Sequence, residues 1–401
     1  MKKIFCCIIS MFLLFGIILK PAFCLASGTE ETIINDEYSN LSSINESQIN
    51  AKSAVLIEAN TGTLLYAKNP NEALAPASVT KIMTILIVVE AIDDGSIALT
   101  DKVTVSANAA SMGGSQVFLK EGEVFTVEDL LKSTVIASAN DAAVALAEYL
   151  AGSEEAFVDK MNNKVKELSL KNTYFENTTG LDDDTQRHLT SAYDIGIMSR
   201  ELISHDIVLK YSNIWQDTIR GGEFTLTNTN RLVRYYAGCT GLKTGSTDKA
   251  GFCISATAER NGMHLIAVIM GSPTRDERNN AARTLLDYGF ATYSVYKDAS
   301  NILEEIRVLK GKKDSVAIIN EEFTLLVEKN TLKNIEKKFE IPEFISAPLK
   351  EGDIVGKIIY SYNGKEIGST EIYVKENIEK TTPVNILAKI LSMIFIGKRA
   401  Q

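Results

Sequence analysis

The sequence predicts an α+β domain followed by a small all-β domain and a short amphipathic tail. Strand-like segments lie at both ends of residues 51–297 with helical patterns between them, short strand patterns take over after about Lys297, and apolar residues at helical spacing follow Pro383. The 401 residues suit about two domains, and a composition 45% apolar and 23% charged is that of a folded globular protein.

The chain opens with Lys2 and Lys3, an apolar run over residues 4–19 and a small-residue exit at Cys24-Leu25-Ala26. This is the layout of a signal peptide over residues 1–26, cut after Ala26. An uncleaved anchor helix is the competing reading, while bulky Phe23 stands against a lipoprotein attached through Cys24. Residues 27–50 carry five acids and no base and are expected to form a disordered spacer, with folding starting near Ala51.

Residues 55–57 and 64–66 read as strands around the turn Asn60-Thr61-Gly62. Pro76-Ala77-Ser78 opens an apolar stretch that runs to Ala91 and stops at Asp93-Asp94-Gly95, the length and stop signal of a buried helix. Thr126 and Asp129 make a capping-box-like start for another helix, and helical patterns continue through Leu150, Leu168 and Leu202. Residues 252–258 and 265–270 are strand-like and flank Asn261-Gly262, a strong hairpin signal, before a final helix over 281–290. The terminal strands are expected to share one sheet.

In the second domain, expected over residues 298–376, strand patterns cover 306–309, 316–319, 323–327, 354–360 and 366–374, the last two joined by Asn363-Gly364. Within residues 377–401, Ile386, Leu387, Ile390, Leu391 and Ile394 fall on one helical face opposite Asn385, Lys389 and Ser392, and Lys398 and Arg399 close the run. A spanning helix needs about 20 apolar residues. This run is shorter, so an in-plane membrane anchor over residues 384–399 is expected, with a helix docked on its own protein as the alternative.

The formal charge of −9 moves to −12 once the signal segment removes Lys2, Lys3 and Lys20 and no acid. A chain this acidic has no electrostatic footprint for nucleic acid. Cys239 and Cys253 alone outlast the signal segment; a disulfide is possible, and two partly buried thiols are the preferred reading. His188, His205 and His264 stand far apart without ligand spacing, so neither a zinc site nor another cofactor is expected.

Three short motifs carry chemistry. Ser78-Val79-Thr80-Lys81 puts a hydroxyl and an amine one helical turn apart. Such an amine can take the serine proton if burial and nearby positive charge keep it neutral. Ser246-Thr247-Asp248-Lys249 and Ser294-Val295-Tyr296-Lys297 repeat the spacing; the first copy is distinguished by the apolar helix it opens. Ser138-Ala139-Asn140 lies in a break between two helices, where a second hydroxyl and an amide could line a cleft or simply cap a helix. Its spacing recurs at Ser43-Ile44-Asn45 and Ser106-Ala107-Asn108. Lys243-Thr244-Gly245 is unrepeated and heads a strand pattern, either an anion-binding rail whose glycine lets a ligand approach or a polar edge strand guarded by a charge.

In this order and at these separations the motifs resemble the signature of the penicillin-recognising serine enzymes. Residues 76–84, 138–142 and 243–251 together look like the low-molecular-mass penicillin-binding proteins, the D-alanyl-D-alanine carboxypeptidases, and the likeness covers about residues 51–375 with that family's β domain and amphipathic tail. The resemblance implies a β-lactamase/transpeptidase-like catalytic domain that is exported and held at the outer face of the cytoplasmic membrane. Its partners would be peptidoglycan stem peptides, with β-lactams as acylating inhibitors. Ser78 would attack the carbonyl between the two D-alanines, Lys81 act as general base, and Ser138 and Lys243 pass the proton to the leaving amine. Asn140 would hold a substrate amide, and the backbone N–H groups of Ser78 and Ser246 would form the oxyanion hole beside Gly245. Thr244 and Arg278 would bind the terminal carboxylate, with Arg275 as the fallback. His188 looks like a packing position of the family. Oligomeric state is not legible.

Three alternatives compete with this reading. A class A β-lactamase is single-domain and places its water with a Glu-bearing loop, whereas residues 177–184 offer Gly180-Leu181-Asp182 without a Glu-x-x-x-Asn pattern. DD-endopeptidases of cross-links usually lack the β domain and tail. A non-catalytic wall-binding module has no physical need for Ser78, Lys81 and Lys243 together.

Overall fold

The expected terminal strands meet in one five-stranded antiparallel sheet. We label its members β1 (Ser53–Glu58), β2 (Leu64–Lys68), β3 (Cys239–Thr247), β4 (Gly251–Arg260) and β5 (Met263–Ser272); their order is β2-β1-β5-β4-β3. The computed structural model describes residues 44, 46–182, 185–387 and 391. The expected signal peptide lies outside the described residues, as do most of the spacer and residues 388–390 and 392–401 of the expected tail; Ile378 and Lys380 of that tail instead pair with Leu349 and Gly311 of the β domain, and Ile378 is buried in its core. Among those described, no helix is long and apolar enough to cross a membrane.

Between β2 and β3 stand α1 (Lys81–Asp93), α2 (Val127–Ile136), α3 (Asn140–Ala151), α4 (Glu154–Glu167) and α5 (Ala192–Leu202); α6 (Arg275–Thr292) follows β5. The period of two along β1 and β5 sorts their side chains between two cores. Val55, Ile57, Ile266 and Val268 face α1 and α5, while Ala54, Leu56, Leu265 and Ala267 face Ala282, Leu285 and Leu286 of α6. Both faces are covered, so β5 is apolar almost throughout rather than alternating. The helix α1 is buried on nearly all sides for the same reason, from Lys81 to Val89. Each buried Ile or Leu in it contributes about 1.5–3 kcal/mol.

Local signals behave as their chemistry requires. Thr126 accepts a hydrogen bond from Asp129 N–H at 3.0 Å and caps α2. Asn261 and Gly262 both take positive φ (52° and 75°), as do Asn363 and Gly364 (49° and 76°), the requirement of a two-residue type I′ hairpin.

Three expectations need correcting. Packing begins before Ala51, because Ile44 and Ile49 are already buried against the α6 face of the sheet. The final helix starts at Arg275 rather than 281, which brings Arg278 into its first turn; Thr274 caps it by accepting from Glu277 N–H. Finally, α6 runs directly into β6 (Tyr293–Asp298), which pairs with β9 (Phe323–Glu328), so β-domain pairing starts five residues before the expected 298.

The other strands of this domain are β7 (Ile302–Leu309), β8 (Ser315–Asn320), β10 (Ile335–Glu340), β11 (Phe344–Ser346), β12 (Ile354–Tyr362) and β13 (Lys365–Val374), in a sheet of order β10-β12-β13-β8-β7-β11. Charged, exposed β10 escapes a pattern search because it is an edge strand with little apolar alternation. The core is Ile306, Val308, Val316, Ile318, Ile358 and Ile372, closed by Phe323 stacked on Tyr360 at 3.9 Å.

Candidate active site

The Pro76-Ala77-Ser78 segment does not begin the α-helix itself. Residues Ala77–Thr80 form a 3₁₀ turn, with Ala77 at φ 49°, and α1 starts at Lys81. Ser78 Oγ and Lys81 Nζ are 3.0 Å apart across this turn. The strand β3 runs directly behind it. A Cβ placed on Gly245 would lie 2.7 Å from Ser78 N and 2.9 Å from Val79 N, closer than real Cβ contacts allow. Glycine is therefore required by the backbone of the Ser78 turn, and not, as expected, by the approach of a ligand alone.

Lys81 is fully buried. Its Nζ donates to Asn140 Oδ1 at 2.5 Å and to the Thr179 carbonyl at 2.8 Å. Both partners can only accept, so a neutral amine spends its two N–H groups on them and turns its lone pair to the Ser78 hydroxyl. Burial, then the neighbouring Lys243 cation, push the Lys81 pKa well below that of an ordinary lysine, and the Asp141 carboxylate pulls partly the other way. Asp141 is itself satisfied by Val117, Leu119 and Ala142 N–H groups.

Asn140, expected to hold a substrate amide, is also a partner of Lys81. Its Nδ2 donates to the Gly113 carbonyl at 2.7 Å and its Oδ1 is held by Lys81, so both ends of the amide are engaged inside the protein. Ser138, at φ 62° in the break between α2 and α3, points its hydroxyl at Lys243 Nζ, 2.8 Å away. Lys243 also donates to the Thr244 carbonyl at 3.0 Å. Burial, then Arg278, lower its pKa to about 7. The Lys-Thr-Gly triplet sits inside β3 on the sheet edge rather than at its head.

Ser78, Ser138, Thr244, Gly245, Ser246 and Arg278 all line one cleft of about 610 Å³. Thr244 donates its hydroxyl to Thr229 Oγ1 at 2.8 Å. Arg278 is 3% exposed, its guanidinium held by Asn279 Oδ1 and the Cys253 carbonyl; burial, then the Arg275 charge, lower it to about 10. Arg275 lines the cleft beside it, together with Arg231, Trp215 and Tyr235, which sequence reasoning missed. The signal for Trp215 was available, since it is the chain's only tryptophan.

Two backbone positions were also missed. The Thr179 carbonyl that fixes Lys81 has no side-chain signature. Gly180, at φ 82°, sits so tightly on the Ser78 turn that a Cβ would be 1.8 Å from the Ala77 carbonyl oxygen. A Gly180→Ala variant is expected to lose about 3 kcal/mol of stability from positive φ and overpacking together; thermal unfolding should report it, and an unchanged midpoint would contradict the contact.

The repeated spacings separate cleanly. Ser294 and Lys297 lie on strand β6, where positions three apart face opposite ways. Ser106 caps a short helix at Ala109 N–H, and Asn108 binds Glu148; Ser43 and Asn45 lie outside the described residues. His188 lies under the Ser78 turn, its Nδ1 accepting from Glu176 N–H and its Nε2 bonded to Thr80 Oγ1. Burial lowers its pKa to about 4, which suits a neutral packing residue. Cys239 and Cys253, opposite Ala258 and Gly245, are separate thiols.

A serine, a buried amine, a second Ser–Lys pair and a Lys-Thr-Gly edge around one cleft define a penicillin-recognising serine peptidase. A family model described as D-alanyl-D-alanine carboxypeptidase matches residues 40–274, and one described as the C-terminal domain of penicillin-binding protein 5 matches residues 290–380. D-alanyl-D-alanine carboxypeptidase DacF of Bacillus subtilis is 42% identical over 349 residues, spanning 85% of this chain and 89% of the relative. Penicillin-binding protein 5 from Haemophilus influenzae superposes with a TM-score of 0.70 at 33% identity, covering 84% of this chain and 100% of that one. Ampicillin-bound penicillin-binding protein D2 from Listeria monocytogenes gives 0.56 at 31%, covering 60% and 98%. The chain belongs to the D-alanyl-D-alanine carboxypeptidases, the low-molecular-mass penicillin-binding proteins.

Proposed function

We propose that the protein removes the terminal D-alanine from peptidoglycan stem pentapeptides through an acyl-enzyme on Ser78, and that β-lactams acylate the same oxygen. The observation that carries this is the buried Lys81 amine, whose two N–H groups are taken by carbonyls while Ser78 Oγ lies 3.0 Å away. Lys81 accepts the serine proton as the hydroxyl attacks the peptide carbonyl, so no charged lysine has to be neutralised during the step. The N–H groups of Ser78 and Ser246 receive the oxyanion.

Ser138 gives its hydroxyl proton to the departing D-alanine amine and is reprotonated by the Lys81 ammonium, which thereby returns to the neutral amine, while Lys243, hydrogen-bonded to Ser138, stabilises the passing negative charge. Asn140 acts by positioning Lys81. Thr244 and Arg278 receive the terminal carboxylate, and the neighbouring Arg275 charge reinforces the attraction. In this reading residues 1–26 export the chain, the domain that packs from Ile44 through α6 catalyses, the β domain that begins with β6 and includes Ile378 supports it, and residues 384–399 lie in the outer face of the cytoplasmic membrane.

Mass spectrometry of the protein after treatment with labelled penicillin tests the assignment: the adduct is expected on the peptide containing Ser78, and D-alanine should be released from a pentapeptide. An adduct on another serine would overturn it. The rate of acylation should also carry an acid limb. As pH falls, Lys81 gains a proton and loses its lone pair, so the rate drops about tenfold per pH unit below its depressed pKa. Acylation that stays constant or accelerates from neutral to acid pH would refute the neutral-amine mechanism.

A further inference from the structure

At the end of α1 remote from Lys81, about 13 Å along the helix, a second group of ionisable side chains converges. Glu90 and Asp93 come from the last turn of α1, Glu201 from the last turn of α5, and His205 from just beyond it. One carboxylate oxygen each of Glu90 and Glu201 and a ring nitrogen of His205 lie within 4.8 Å of one another.

His205 Nδ1 is 2.5 Å from Asp93 Oδ2. A carboxylate only accepts, so Nδ1 carries a proton here, which leaves Nε2 as the ring nitrogen that could ligate an ion. Among the described residues that buried Nε2 has no hydrogen-bond partner, an uncommon state for a buried polar atom in a packed protein. Lys164 occupies Oε1 of Glu90 at 2.9 Å, which leaves the second oxygen to turn elsewhere. Glu201 is exposed, so the cluster opens to solvent. The C-terminal ends of α1 and α5 both point here, and their carbonyl dipoles favour positive charge.

We propose that Glu90, Glu201 and His205 bind a divalent transition-metal ion such as zinc, with Asp93 orienting the imidazole and water completing the shell. The hydrogen bond from the imidazole to a carboxylate is the usual support of a metal-binding histidine. One imidazole with two carboxylates suits zinc or a related ion better than magnesium or calcium, which prefer oxygen alone. The ion ties the far end of the helix that carries Lys81 to α5 and so stabilises the fold without entering the reaction. Sequence reasoning missed it because it compared the histidines only with one another; Glu201 and His205 stand four residues apart, and Glu90 joins them only through the packing of α1 against α5.

The test is zinc titration of the full, tag-free chain after chelator treatment, followed by calorimetry and thermal unfolding. One equivalent is expected to bind, raising Tm by about 5 °C or more at a hundredfold excess over Kd. His205→Ala and Glu201→Gln should each weaken zinc binding at least about tenfold while leaving the rate of penicillin acylation unchanged. Glu201 is exposed, so its variant guards against misfolding as the cause. Absence of saturable zinc binding in the unmodified chain, or unchanged affinity in both variants, overturns the proposal.

Discussion

A Ser78→Ala chain is expected to form no covalent adduct with penicillin and to release D-alanine from a pentapeptide at least about 10⁴-fold more slowly than the unmodified protein. The substitution removes one oxygen that contacts Lys81 across a half-buried turn and leaves no bulky cavity. Its thermal unfolding should therefore be nearly unchanged, which separates loss of chemistry from loss of fold. Residual binding of a pentapeptide is expected, since Thr244 and Arg278 are untouched. Gel fluorescence with a labelled penicillin and an assay for free D-alanine measure both effects; a variant that still acylates would show that another hydroxyl is the nucleophile.

The second large effect concerns the base. Lys81→Met keeps the length of the buried side chain and removes the lone pair, and acylation is expected to fall about 10³- to 10⁴-fold. Lys81→Arg should be equally inactive, because a guanidinium keeps its proton at any working pH and cannot act as base. The two variants distinguish proton transfer from simple electrostatic support: if a fixed positive charge were the requirement, the arginine chain would keep activity. Lys81→Met also leaves the Asn140 and Thr179 carbonyls without a donor, at roughly 1–3 kcal/mol each. Part of that is offset by no longer burying an amine, and circular dichroism should confirm a folded chain before its kinetics are read.

Much of the site was legible before any coordinate. The three motifs were found because serine, lysine and glycine are rare combinations of reactivity and backbone freedom, and their order along the chain survived as a pattern. The hairpins at Asn261-Gly262 and Asn363-Gly364 were equally legible, since positive φ at two successive residues restricts composition. Where reading failed, the cause was physical in each case. The Thr179 carbonyl belongs to the backbone, which every residue has. The contacts of Asn140 to Lys81 and Gly113 were not legible either, because they depend on which segments pack around it. Gly245 looked like an opening for a ligand and proved to be a seat for the Ser78 turn. The start of α6 was placed six residues late because its first turn is charged, and only its later turns face the core.

The sequence by itself determined the chemistry available: a hydroxyl beside an amine, a second hydroxyl, a lysine on a strand edge, and enough apolar alternation to build two cores. Only the tertiary structure decided what those groups are. Burying Lys81 under α3 and the Thr179 loop, beside Lys243, pushes its pKa well below that of an ordinary lysine, because a charged amine without water is costly; that is the state the proposed base requires. Juxtaposition of α1 and α5 likewise makes Glu90, Glu201 and His205 neighbours, although 115 residues of chain separate the first from the last.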